Sequence, residues 1–77
     1  MKLDDERIDQ AVLALLRLGL HDKDRAWKSF DRDAMARLHE KGYISDPYGR
    51  AKSVAFTDPG LRESERLLTE LFVAKKG

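Results

Sequence analysis

Five cations, Lys28, Arg32, Arg37, Arg50 and Lys52, are the residues whose type and spacing could do chemistry, and that chemistry is contact with phosphate. Groups for bond making are missing from the sequence. There is no cysteine nucleophile and no glycine-rich phosphate loop, and His21 and His39 stand eighteen residues apart, outside ligand spacing. Carboxylates are plentiful, but a chain with 38% charged residues holds many acidic pairs by chance, and 77 residues rarely enclose a deep pocket. The expectation is a non-enzymatic protein with no catalytic residue, no metal site and no cofactor.

The five cations fall where the charge balance is most positive. Met1 to Asp22 carries three basic and five acidic residues, Lys23 to Phe56 eight and five, and Thr57 to Gly77 four and four. Net charge is only +1, so an overall electrostatic footprint is absent and the middle third alone suggests an anionic partner. The acidic start Leu3-Asp4-Asp5-Glu6 is unlike a secretion signal. The longest apolar run, Ala11 to Leu16, is far too short to span a bilayer. A cytoplasmic protein without membrane contact is expected.

Four helices and a ribbon are predicted to position these cations. The first helix, 5–18, starts after an Asp4 or Asp5 cap, with Leu3 and Ile8 as a hydrophobic staple, and stops at Gly19 in a left-handed turn. Its Ile8, Val12, Leu15 and Leu16 mark one face, while Ala11, Leu13, Ala14 and Leu18 extend the apolar surface around the cylinder. That breadth fits either a central helix buried on several sides or a dimer seam. A short second helix over 23–29 has Asp22 as cap and Ala26, Trp27 and Phe30 facing inward. Trp27 could stack on a base, but its spacing from Phe30 favours packing.

The third helix, 32–41, is capped by Asp31 and ended by Gly42. Ala34, Met35 and Leu38 face the core, and Arg32, Asp33, Ala36, Arg37 and Glu40 face outward. Tyr43 and Ile44 begin a strand, Asp46-Pro47-Tyr48-Gly49 turns the chain, and Val54 and Phe56 alternate inward on a return strand, making a wing hairpin over 43–56. Thr57 caps the last helix, 58–74, whose apolar face is Leu61, Leu68, Leu71 and Phe72; Lys75-Lys76-Gly77 reads as a frayed basic end.

This order, helix-helix-helix-strand-strand-helix, is that of a winged helix: mainly α with a small β-hairpin (α+β), one domain over 1–77. In such a fold the outer face of the third helix lies in the major groove of double-stranded DNA. Arg32 and Arg37 would then approach bases or phosphates, Lys28 a phosphate from the second helix, and Arg50 and Lys52 the backbone from the wing. Asp33 and Glu40 beside Arg37 oppose that use. The function expected is DNA binding in a bacterial transcription regulator, as a homodimer through the first and last helices. The alternative is a protein–protein interaction module on the same scaffold.

The runs AVLALLRLGLHD, RAWKSFDRDAMARLHEKGYISDP and GRAKSVAFTDPGL, which cover nearly the whole chain, closely resemble a family of short bacterial proteins catalogued as a domain of unknown function. Where that resemblance leads one to expect an aromatic residue, after the first Asp of the Phe-Asp-x-Asp segment, this chain has Arg32. The resemblance implies no activity.

Overall fold

The computed structural model describes residues 1–28 and 30–74. Ser29, where the second predicted helix was to end, and the basic end Lys75-Lys76-Gly77 lie outside the described residues. The element order is α1 (Asp5–Leu18), β1 (Arg25–Trp27), α2 (Arg32–Glu40), β2 (Ser53–Ala55) and α3 (Asp58–Phe72).

Each helix starts where a short polar side chain satisfies an otherwise orphaned backbone N–H. Asp4 accepts from the Arg7 amide, Asp31 from Ala34 and Thr57 from Gly60. Gly42 ends the second helix with φ of 81°, the left-handed value a glycine takes at least cost. Gly19 differs from the expectation: its φ is −98°, and the helix closes instead by a tight bond from its N–H to the Leu16 carbonyl.

The winged-helix order is overturned. Among the described residues three helices form rather than four, and Arg25–Trp27 of the segment predicted as a second helix is a strand. Asp22 and Lys23 adopt positive φ, 48° and 76°, and reverse the chain so that Arg25 bonds back to His21 in both directions. A helix cannot begin through that turn. The three residues after it are extended, with Ala26 buried and Arg25 and Trp27 turned away. Seven residues would in any case make a marginal helix, and β1 gains the ladder of a distant strand instead.

The predicted wing hairpin is altered by the same event. β2 pairs antiparallel with β1, with Arg25 opposite Ala55, Ala26 opposite Val54 and Trp27 opposite Ser53. On the other side of β2 an isolated bridge joins Ile44 to Phe56, beside the bond from the Ser45 amide to the Ala55 carbonyl. The long arm between them, residues 46–52, is a loop.

α1 is the central helix. Its Val12, Leu13, Ala14 and Leu16 are buried against Ala34, Met35 and Leu38 of α2, Ala26 and Val54 of the sheet, and Ile44, Phe56 and Leu67. α3 lies along it in the opposite direction, since the Arg17 guanidinium near the end of α1 donates to the Leu61 carbonyl and the Ser64 hydroxyl near the start of α3. Four inward assignments fail. Trp27 is 56% exposed and stacks on His21 with ring centres 4.5 Å apart, and Phe30 is also exposed. At the far end of α3, Leu71 and Phe72 remain exposed, while Leu67 is buried.

Candidate nucleic-acid interface

The side chain of Lys28, just past β1, bridges to the 46–52 loop. Its Nζ donates to the carbonyls of Pro47 and Gly49, both at 2.8 Å, while its amide donates to the Lys52 carbonyl. The Asp46 carboxylate accepts from the Tyr48 amide at 2.9 Å, the side-chain turn that an Asp-Pro start favours. The loop is thus tied down at its start and along its span. Between it and the first turn of α2 opens a cleft of about 420 Å³, lined by Lys28, Phe30, Arg32, Met35, Pro47, Tyr48 and Gly49.

Two of the five predicted site residues, Lys28 and Arg32, therefore share one cleft with the aromatic side chains of Phe30 and Tyr48. Arg50 and Lys52 follow on the same loop, both exposed. Among the described residues, Arg32, Arg50 and Lys52 make no ion pair with an acidic side chain.

Arg37 is elsewhere. Its Nε and Nη2 make three hydrogen bonds of 2.8 to 3.0 Å to both oxygens of Asp9 on α1, and Lys41 adds a fourth from Nζ at 3.1 Å. The side chain of Asp9 is only 2% exposed. Burial pushes its carboxyl up, but hydrogen bonds and charge from Arg37 and Lys41 outweigh that and hold it below the usual carboxylate range. The same bond, assisted by Asp9, Asp5 and Asp31 as charges, raises Arg37. Arg37 and Lys41 are thus engaged by an acid from α1, while Lys28, Arg32, Arg50 and Lys52 lie at the cleft and on its loop.

The ion cluster escaped the reading of the sequence, although a signal for it existed. Asp9, Val12, Leu13 and Leu16 follow the i, i+3, i+4, i+7 spacing, so the buried stripe of α1 contains an acid. A buried carboxylate needs a charged partner, and Arg37 of α2 and Lys41, four residues on at its C-cap, supply two.

The histidines have local roles: His21 Nδ1 lies 3.1 Å from the Gly19 carbonyl and His39 Nδ1 3.0 Å from that of Ile44. Among the described residues no group of three or more His, Cys, Asp or Glu is placed to hold a metal ion, and no helix is long and apolar enough to cross a membrane.

Comparison with known proteins gives family membership. The model of a domain of unknown function, DUF6429, matches residues 4–74. The "Uncharacterized protein y4hR" of Sinorhizobium fredii is 53% identical over 72 residues, which cover 94% of this chain and 97% of that protein. No solved structure matches the chain. With the match running from the cap of α1 to just past the end of α3, the chain belongs to the DUF6429 family.

Proposed function

We propose that the chain is a non-enzymatic binding module that holds nucleic acid against the cleft and the 46–52 loop, and that it does so as a homodimer. The observation that carries this reading is the cleft shared by Lys28 and Arg32, with Arg50 and Lys52 exposed on the loop that walls it and, among the described residues, no ion pair from Arg32, Arg50 or Lys52 to an acidic side chain. Four phosphate contacts give modest affinity that falls steeply with salt, so log Kobs against log salt has a slope of about −3. Anisotropy titration of a labelled oligonucleotide at low and physiological salt tests this. Arg32→Glu and Arg50→Glu are each expected to weaken binding roughly tenfold. Both sites are exposed, and a glutamate in the first turn of α2 suits the helix dipole, so folding is retained. No binding at low salt, or reversals without effect, rejects the reading.

Pairing would double the number of phosphate contacts, raising affinity through effective concentration. A second open cleft, about 490 Å³, lies between Arg7, Gln10 and Ala11 of α1 and Glu70, Leu71 and Phe72 of α3. Leu71, Phe72 and Val73 are 46%, 47% and 59% exposed there, an apolar strip at the end of an otherwise charged helix. A two-fold axis through the strip would bring the apolar ends of two α3 helices together, a self-complementary arrangement. Light scattering is expected to show a dimer that Phe72→Asp converts to a monomer; a wild-type monomer at high concentration removes this part of the proposal.

The same strip favours a second reading, a protein–protein interaction module whose partner is another chain. Dimerisation, or capture of a partner, without any nucleic-acid binding at low salt would select it.

A further inference from the structure

We infer that the nucleic acid is single-stranded, with one unstacked base held against Tyr48 and Phe30 and its phosphate on Lys28 and Arg32. This rests on the nucleic-acid reading above and narrows it. Duplex recognition through α2 requires a helix face free to enter a groove, and α2 lacks one. Arg37 and Lys41 are bound to Asp9, and Arg32, Asp33 and Glu40 remain outside with mixed sign. Lys28 and Arg32 line a hollow rather than a ridge. A duplex offers phosphates on its convex outside and hides the faces of its bases, whereas a single strand offers phosphate and base face together.

The walls of the cleft fit those two needs. Tyr48, 65% exposed, and Phe30, 37% exposed, provide aromatic surface without the apolar burial that would make them core. Lys28 is held in place by two carbonyls, which leaves the third N–H of its ammonium for an anion at a position fixed in advance. Arg32 stands at the positive end of α2 with a planar fork suited to phosphate. A volume of about 420 Å³ is in the range of small-molecule sites and accommodates one nucleotide unit rather than a helix.

The test compares labelled oligothymidine with a hairpin duplex of similar charge, at low salt, for the wild type, Tyr48→Ala and Tyr48→Phe, with circular dichroism as a folding control. The expected result is tighter binding of the single strand, a loss of about tenfold in Tyr48→Ala for that strand alone, and retention in Tyr48→Phe, because stacking needs the ring and not the hydroxyl. Duplex binding as tight as single-strand binding, or no effect of Tyr48→Ala, overturns the inference and leaves the nucleic-acid reading standing. Binding of neither probe overturns both.

Discussion

Gly60→Ala is expected to destabilise the protein by about 3 kcal/mol, the upper end of overpacking costs, and to lower its unfolding midpoint by more than roughly 10 °C. Gly60 lies in the first turn of α3, where a Cβ would collide with the Tyr43 carbonyl oxygen and approach the carbonyl carbon to 2.8 Å. Neither side can retreat. The Tyr43 amide donates to the Leu38 carbonyl at 3.1 Å, its carbonyl accepts from the Thr57 amide at 3.0 Å, and the Thr57 hydroxyl donates to the Gly42 carbonyl at 2.6 Å. The end of α2 and the start of α3 are one hydrogen-bonded joint, and Gly60 lets the two backbones meet. Gly49→Ala is the control, since a Cβ there meets nothing within 4 Å, and it is expected to be nearly neutral. Thermal or urea unfolding of the pair measures the difference; equal midpoints would mean that the joint is looser than described.

Arg37→Met is expected to lower the midpoint by roughly 10 °C, because it strips the partner from a carboxylate that remains buried. Lys41 then holds Asp9 alone, through one oxygen. The double variant Asp9→Leu with Arg37→Met is expected to recover most of the loss, since removing both charges is far cheaper than orphaning one. The pH dependence follows from the lowered carboxyl of Asp9. Its folded pKa lies below the unfolded value of about 3.9, so its contribution is fully present above that value and is lost as pH falls through the folded one. Acid unfolding below about pH 4 should therefore be shallower in Asp9→Asn than in the wild type. If Arg37→Met unfolds at the wild-type temperature, the ion cluster contributes nothing and Arg37 is available to a ligand.

What was legible in the sequence was local. Asp4, Asp31 and Thr57 announced three helix starts through their capping chemistry, and Gly42 announced a stop, because each works within four residues of chain. The segment around Ala26 and Trp27 was misread for the opposite reason. Its state is decided by Ser53 to Ala55, about thirty residues away, and a three-residue strand leaves too little alternation to separate from a helical turn. Arg37 was misassigned because its outward-looking position on α2 faces α1 rather than solvent, a fact of helix packing. Lys28 and Arg32 are singled out by type, and Arg50 and Lys52 by their place on a polar loop; the structure brings the first two into one cleft. That Tyr48 and Phe30 would close a cleft with the first pair depended on how the loop folds back on Lys28.

Amide chemical-shift mapping of the protein titrated with oligothymidine at low salt tests the central claim most directly, because it reports where the strand sits as well as whether it binds. The account predicts shifts concentrated in residues 28 and 30–36 and in residues 46–52, with little change along Ala11–Leu16 in the core. Shifts centred on the α1–α3 strip around Leu71 and Phe72, or none at all, would contradict it.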